Sequence, residues 1–144
     1  MPQDAALEAF CAFFSKLDKY CTNSLYDVYT QDVVFIDPLH RIEGARALEA
    51  YFAGMYENVS HCHFDYHGKH RDGDTAFVTW TMHFAHPKLN SGRDISVDGC
   101  TRLQFSADGR VARHRDYFDA GAMLYEQVPL LGRVIRGLKR RAAR

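Results

Sequence analysis

The stretch ISVDGCTRLQFSADGRVARHRDYF, residues 95–118, decides the fold. Apolar and polar residues alternate on both sides of its centre, which is the period of a β-strand with one buried face. Asp108-Gly109 at the centre is typical of a tight hairpin turn, because glycine accepts a positive φ. The stretch therefore predicts two antiparallel strands, over 95–105 and 110–118, joined by a short turn.

The same period of two extends upstream of this hairpin. The segments CHFDYHGK (62–69) and TAFVTWTMHFA (75–85) also alternate, and Asp72-Gly73 between them is a second hairpin signal. A separate β-rich segment, VVFID (33–37), ends where a proline follows. Long strands joined by hairpins form an antiparallel sheet that twists and curls.

Segments with helical spacing precede or interrupt the strands. Leu7, Phe10 and Phe14 lie on one face of a predicted N-terminal helix, and apolar residues recur in the same way over 44–55. A shorter helix is predicted over 24–29. Helices followed by a run of strands indicate an α+β fold. We expect a curved antiparallel sheet wrapped around the N-terminal helices, forming a conical barrel with an apolar pocket.

The charge of the chain is balanced in total but unevenly distributed. Of the 18 basic residues among the 144, six lie in residues 129–144, which contain no acid. Residues 1–128 therefore have 12 basic against 18 acidic residues, and this balance argues against nucleic-acid binding. We expect a single domain over 1–128 and a basic helical tail over 129–144.

The basic tail has two interpretations. Its cations suit a solvated helix, because cations near a helix C-terminus complement the helix dipole. Alternatively, its apolar residues, among them Leu131, Val134 and Leu138, form a membrane-surface helix together with the cations; we favour the solvated helix. Because the N-terminus has early acids and no basic segment before an apolar run, we expect a cytoplasmic protein.

The strand over 110–118 carries the main candidate for chemistry. Alternation places His114, Asp116 and Phe118 on one face. The other face is predicted to carry Val111, Arg113, Arg115 and Tyr117. Because the arginine-rich face suits solvent, we expect Asp116 to point inward, where a carboxylate in an apolar cavity can exchange protons near neutral pH. The alternative is a buried aspartate paired with an arginine.

Two stretches resemble a known family. DVVFIDP (32–38), followed by Gly44 and a helix, and DGRVARHRDYFDAGAMLYEQ (108–127) are similar to segments of the nuclear-transport-factor-2-like superfamily, and within it to the SnoaL-like group. Ketosteroid isomerases and limonene epoxide hydrolases are more distant relatives. The resemblance implies a curved sheet around a conical, mostly apolar cavity, and a homodimer.

The resemblance also implies roles for two aspartates. In SnoaL-like cyclases the aspartate of HRD is the acid/base, and it matches Asp116. In ketosteroid isomerases the general base lies in an Asp-Pro after a short strand, a place that matches Asp37. An Asp-Pro turn also forms for local hydrogen-bonding reasons, so both interpretations of Asp37 stay open. The two aspartates in one pocket would form an acid/base pair.

The oxyanion donors of the related enzymes are missing by the same resemblance. Ketosteroid isomerases use a tyrosine on the first helix and a protonated acid on a late strand, and these places fall on Phe13 and Thr101. The partner histidine of SnoaL-like cyclases also falls on Thr101. A hydroxyl donates a hydrogen bond but supplies no charge. This argues against steroid isomerisation, and it makes His114 the candidate partner of Asp116.

Further side chains are candidates for ligand binding. Thr79 and His83 share one face of the strand over 75–85, and by the resemblance that face lines the pocket. The opposite face, which includes Trp80, is expected to pack in the core or in a dimer. The predicted ligand-binding residues are Phe13, Phe52, Thr79, His83, Thr101 and Phe118.

His61-x-His63 is a candidate for metal binding, because residues i and i+2 share a strand face. We favour an exposed polar stripe that Asp65 and His67 continue, and therefore expect no metal. A metal site would need a third, convergent ligand from elsewhere in the chain.

We expect an enzyme that moves a proton on a small apolar molecule bearing a carbonyl group, with Asp116 as acid/base and His114 and Asp37 assisting. Such chemistry needs no cofactor, and no nucleotide-binding motif is present. The rival hypothesis is a non-catalytic binding or accessory protein, which the missing oxyanion donors favour. The expected partners are a small hydrophobic ligand and a second copy of the chain.

Overall fold

The computed structural model describes residues 2–17, 23–124, 126 and 129–143. The helices are α1 (Pro2–Lys16), α2 (Leu25–Val28), α3 (Ala45–Asn58), α4 (Ala120–Met123) and α5 (Pro129–Ala142). The strands are β1 (Tyr29–Ile36), β2 (Arg41–Glu43), β3 (His61–Asp72), β4 (Thr75–Ala85), β5 (Ile95–Phe105) and β6 (Val111–Phe118).

All six strands form one sheet in the order β2-β1-β6-β5-β4-β3. The prediction of an α+β fold is confirmed, with two differences in the sheet. β1 runs parallel to β6 while the other neighbours are antiparallel, because β1 joins the sheet beside a strand far along the chain rather than through a hairpin. Within the described residues β2 and β3 are its edges, so the sheet is open and not a closed barrel.

Both predicted hairpin turns are present. Gly73 between β3 and β4 has φ +61°, and Gly109 between β5 and β6 has φ +85°. A side chain with a Cβ is strained at these angles, and this is why Asp-Gly marks each turn in the sequence.

The apolar core lies between one face of the sheet and helices α1 and α3. Phe10 and Phe14 of α1 are buried, and Phe14 contacts Phe52 of α3 at 5.6 Å between ring centroids. Fully burying one such side chain stabilises a protein by about 1.5–3 kcal/mol. The inward face of the sheet is thereby fixed, and every polar residue on it needs a partner within the core.

A bulge in β6 changes the predicted alternation at one position. Phe105 is paired with Val111, and Gln104 is paired with Arg113, so Ala112 is an extra residue on the β6 side. The bulge turns Val111 into the core, and its predicted outward orientation is therefore wrong. Beyond the bulge the predicted faces are confirmed: His114, Asp116 and Phe118 are less exposed than Arg113, Arg115 and Tyr117.

The C-terminal tail is a helix, α5, that contacts the segment before it. Lys139 Nζ pairs with Asp119 Oδ2 at 2.5 Å and with Glu126 Oε2 at 3.0 Å. Leu131, Val134 and Leu138 are exposed, whereas the predicted domain boundary at 128 lies outside the described residues. No helix in the described part of the chain is long and apolar enough to span a bilayer.

Candidate functional site

Asp116 lies in the middle of a hydrogen-bonded group on the inward face of the sheet. Its Oδ1 is 2.7 Å from Nε2 of His114, two residues earlier on β6. Thr101 lies directly opposite Asp116 on β5, and its hydroxyl donates to the same oxygen at 2.6 Å. A carboxylate oxygen only accepts, so both neighbours present a hydrogen to Oδ1.

The group extends by one residue on each side. Trp80 Nε1 donates to the Thr101 hydroxyl at 2.8 Å, and the Tyr29 hydroxyl lies 2.7 Å from His114 Nδ1. Because Nε2 of the imidazole donates to Asp116, Nδ1 of a neutral His114 accepts from Tyr29. Two chains of donors, Tyr29–His114 and Trp80–Thr101, therefore converge on one oxygen of Asp116.

Aromatic rings hold the His114 imidazole in place. His114 is only 2% exposed, and its ring lies 4.7 Å from Phe35 and 5.5 Å from Phe10 between centroids. The Tyr29 ring stacks on it at 5.9 Å. Burial, and next the nearby charge of Asp116, hold the pKa of Tyr29 well above its usual 10. Tyr29 therefore stays protonated at neutral pH, as a donor to His114 requires.

The second oxygen of Asp116 is available for chemistry. Among the residues the structure describes, none donates a hydrogen bond to Oδ2 and no arginine pairs with Asp116. The Asp116 side chain is 17% exposed, so it is only partly buried. The arrangement is that of a carboxylate held through one oxygen and open at the other.

Asp37 has different surroundings, and these match the Asp-Pro turn interpretation. Its Oδ1 accepts from the backbone N–H groups of Leu39 at 2.8 Å and His40 at 2.7 Å. The Tyr51 hydroxyl donates to Oδ2 at 3.3 Å, and the Asp37 side chain is only 6% exposed. Both oxygens therefore have partners, and no direct hydrogen bond joins Asp37 to Asp116 within the described residues.

The negative charges of Asp37 and Asp116 both act on the Tyr51 hydroxyl. Burial, and next the charge of Asp37 and its hydrogen bond, raise the pKa of Tyr51 well above 10, and the charge of Asp116 adds to the shift. Its hydroxyl also lies 3.2 Å from His40 Nδ1. Tyr51 therefore stays protonated at neutral pH and donates to Asp37.

A mostly apolar cavity of about 700 Å³ lies next to Tyr51. Its wall includes Tyr51 and Met55 from α3, Cys62 from β3, Phe84 from β4 and Met123 from α4. Such a volume and lining suit a small hydrophobic molecule. Sequence patterns alone left this location open, because it depends on how α4 and the 86–89 loop meet α3.

Phe118 contacts both the apolar cluster beside the cavity and the ring of Trp80. It packs on the cluster around Phe84, which lines the cavity, and lies 6.3 Å from the Trp80 ring. Asp116 itself is not part of the cavity wall among the described residues.

Several predicted ligand-binding residues lie elsewhere. Phe13 and Phe52 are buried in the core and do not line the cavity. Thr101 is buried, and its hydroxyl donates to Asp116. Thr79 and His83 lie on the outer face of β4, so the predicted face of that strand is wrong. The buried face is the one that carries the large apolar side chains Val78, Trp80 and Phe84, whose burial outweighs the exposure of Phe77.

Tyr29 and Trp80 belong to the hydrogen-bonded group around Asp116, and the sequence analysis does not predict them there. Tyr29 contacts a residue 85 positions away, and Trp80 contacts one 21 positions away. The available signals were indirect: a tyrosine and a tryptophan at inward positions need a partner for their polar atom when buried.

Comparisons with known proteins agree with this fold. Structures of a protein named as a SnoaL-like polyketide cyclase from Jannaschia sp. CCS1 and of a protein with a ketosteroid isomerase-like fold from Catenulispora acidiphila DSM 44928, in complex with trimethylamine, each have a TM-score of 0.73. Their identities are 18% and 15%; each alignment covers 86% of this chain, and 92% and 93% of theirs.

An LEH-like epoxide hydrolase from M. tuberculosis has a TM-score of 0.67 and 22% identity, over 83% of this chain and 79% of that one. The comparison with curated proteins found no match. Residues 7–114 match the family described as SnoaL-like domain, which is well over half of the sequence. The chain belongs to the SnoaL-like domain family.

Proposed function

We propose that the protein binds a small apolar molecule with a carbonyl group and catalyses a proton transfer on it, with Asp116 as the acid/base. The observation that carries the proposal is the asymmetric environment of Asp116. His114 and Thr101 hold Oδ1, while Oδ2 has no donor among the described residues. The apolar cavity, whose wall does not include Asp116, supplies a place for the substrate, and the proposal requires the substrate to displace Phe118 to reach Oδ2.

The proposed step balances without a cofactor. Oδ2 of Asp116 takes a proton from a carbon next to the carbonyl, and the electron pair of that C–H bond moves to the carbonyl oxygen. The neutral acid then returns the proton to a different atom of the same molecule, so the product is an isomer. The donors on Oδ1 keep the carboxylate fixed in orientation throughout.

Tyr51 is the donor proposed for the carbonyl oxygen, and to serve it the hydroxyl exchanges its hydrogen bond to Asp37 for one to the substrate. Tyr51 is part of the cavity wall, and its raised pKa keeps it protonated. The oxyanion positions implied by the resemblance, Phe13 and Thr101, do not face the cavity. Names of the similar structures, polyketide cyclase and epoxide hydrolase, support an enzyme of this fold acting on small organic molecules.

Hydrogen–deuterium exchange tests the proposal without a known substrate. The probe is 2-tetralone, an apolar bicyclic ketone, and proton NMR in D2O follows the loss of its α-protons. We expect exchange above the buffer rate with the wild-type protein and its loss in Asp116→Asn. Asp72→Asn, at an exposed position at the end of β3, is the matched control. Equal exchange in Asp116→Asn and wild type would overturn the role of Asp116.

A non-catalytic binding protein is the second candidate function, and the position of the cavity favours it. Asp116 is not part of the cavity wall among the described residues, so a ligand can occupy the cavity without reaching the carboxylate. This function predicts that 2-tetralone binds, by tryptophan fluorescence quenching of Trp80, without any protein-dependent exchange. Phe118→Ala would then leave exchange absent, whereas the enzyme hypothesis predicts that exchange persists or rises.

We also propose a homodimer formed through the outer face of the sheet. Phe77 and Tyr117 are large apolar side chains exposed on that face, at 44% and 46%. Sedimentation equilibrium should give the mass of two chains, and Phe77→Asp should shift the equilibrium to one. A single-chain mass for the wild type would contradict this.

A further inference from the structure

Three metal-ligating side chains converge on the outer face of the sheet, away from Asp116. His63 and Asp65 are two residues apart on β3, and His83 lies directly across from His63 on β4. One ligand atom from each residue lies within 4.8 Å of those of the other two. His83 is thus the convergent third ligand that the His61-x-His63 pattern alone lacks.

The three side chains already contact one another. His83 Nε2 lies 2.9 Å from Asp65 Oδ2, and the imidazole rings of His63 and His83 stack at 4.8 Å between centroids. His63 and Asp65 are exposed, so their side chains can rotate without disturbing the core. A four-coordinate metal with bonds of about 2.0–2.2 Å needs its ligand atoms about 3.4 Å apart, so His83 and Asp65 must separate slightly and the more distant ligand atoms must approach, which such rotations supply.

A residue beyond the cluster orients the central histidine. The second ring nitrogen of His83, Nδ1, lies 2.9 Å from the hydroxyl of Ser96 on β5. A hydrogen bond to the other ring nitrogen fixes the orientation of a metal-ligating histidine in proteins. In this arrangement Nδ1–H donates to Ser96 and Nε2 is left to face the metal and Asp65.

We propose that His63, Asp65 and His83 bind one divalent transition-metal ion of the zinc class, with solvent completing its coordination. Two imidazoles and one carboxylate suit Zn²⁺, whereas Mg²⁺ and Ca²⁺ prefer oxygen ligands alone. The site is independent of the proposed proton transfer, because outward-facing side chains of β3 and β4 form it.

Calorimetric titration of ZnCl₂ into the full-length, tag-free, EDTA-treated protein tests the proposal. We expect one Zn²⁺ per chain in the wild type and at least tenfold weaker binding in His83→Ala and in Asp65→Asn. Ser96→Ala should weaken binding about tenfold while all three ligands remain. His70→Ala, an exposed histidine farther along β3, is the matched control and should bind as the wild type does.

Co²⁺ gives a second measurement that does not depend on activity. The visible absorption of bound Co²⁺ should appear in the wild type and in His70→Ala, and be lost in Asp65→Asn. Asp65 is a surface residue, so this variant tests the site even where His83→Ala perturbs folding. Unchanged Zn²⁺ affinity in both ligand variants, or binding that does not saturate at one ion per chain, would overturn the proposal.

Discussion

His114 and Asp116 lie two residues apart on β6, on the same face of the sheet, with Nε2 of one 2.7 Å from Oδ1 of the other. Strand geometry itself creates this pair, because side chains at i and i+2 point to the same side. Tyr29 from β1 and Thr101 from β5 then complete it from the two neighbouring strands. The parallel β1–β6 pairing is therefore what brings Tyr29 to His114.

Removing the Tyr29 hydroxyl tests that link. Tyr29→Phe leaves Nδ1 of the buried His114 without its partner, so we expect the free energy of unfolding to fall by about 1–3 kcal/mol. Urea unfolding measures the change. Tyr26→Phe, an exposed tyrosine that donates to Glu49, is the control and should change stability by less than about 0.5 kcal/mol. Equal losses in the two variants would show that the buried Tyr29–His114 hydrogen bond stabilises the protein no more than the exposed Tyr26–Glu49 hydrogen bond does.

Thr101→Val tests the other donor chain. The substitution leaves the buried Trp80 N–H unpaired and removes one hydrogen bond from Asp116, for an expected loss of about 1–3 kcal/mol. Thr75→Val, at the start of β4, serves as control. If the proposed function holds, Thr101→Val should also slow the α-proton exchange of 2-tetralone, because only His114 then holds Asp116 Oδ1. Unchanged exchange and stability would contradict both roles of Thr101.

Gly99 is required by the position of the Trp80 ring. A Cβ at Gly99 would lie 2.2 Å from the nearest atom of that ring, so the ring must move in Gly99→Ala. We expect a loss of about 1–3 kcal/mol in unfolding free energy from overpacking. Gly54→Ala on α3 meets nothing within 4 Å and should instead stabilise the helix by about 0.5–1 kcal/mol. Thermal melts of the two variants should therefore shift in opposite directions.

The thiol of Cys62, a residue of the cavity wall, should make the free energy of unfolding depend on pH. Burial raises its pKa from 9.0 to about 11, so the folded state holds the thiol proton more tightly than the unfolded state does. The resulting stability is fully present below pH 9 and is lost as the pH rises from 9 to 11. Cys62→Ala should reduce the fall in unfolding free energy over this window. The same fall in the variant as in the wild type would contradict the assignment.

Reactivity of the same thiol reports on the cavity. Iodoacetamide reacts with the thiolate, so alkylation of Cys62 should be slow at pH 7 and accelerate toward pH 11. A bound apolar molecule should protect Cys62, which lines the cavity. Peptide mapping by mass spectrometry measures both effects, and alkylation that 2-tetralone leaves unaffected would place its binding elsewhere.

Local sequence signals predicted much of the fold. The Asp-Gly turns and the alternation of β3 to β6 specify hairpins, and the inward set His114, Asp116 and Phe118 follows from the same period. The parallel placement of β1 depends on chain crossover and has no local signature. The bulge at Ala112 likewise needs the partner strand to be seen, since it changes the face of Val111.

The candidate site was predictable only in part. Asp116 and His114 share one strand and one face, so alternation pairs them. The resemblance predicts the pocket on the face of β4 that carries Thr79 and His83, and that face is exposed. Alternation could not correct this, because β4 has a large aromatic residue on each face, Phe77 on one and Trp80 on the other. Tyr29, Trp80 and the third metal ligand, His83, reach their partners across strands, where sequence spacing carries no information about contact.

The most direct test of the central claim is the α-proton exchange rate of 2-tetralone with Asp116→Asn against wild type. General acid/base catalysis contributes about 10²–10⁴-fold, so the account predicts a loss of at least about 10²-fold in the protein-dependent rate. Asp72→Asn should exchange as fast as the wild type. Wild-type exchange in Asp116→Asn, with the ketone still bound, would contradict the assignment of Asp116 as the acid/base.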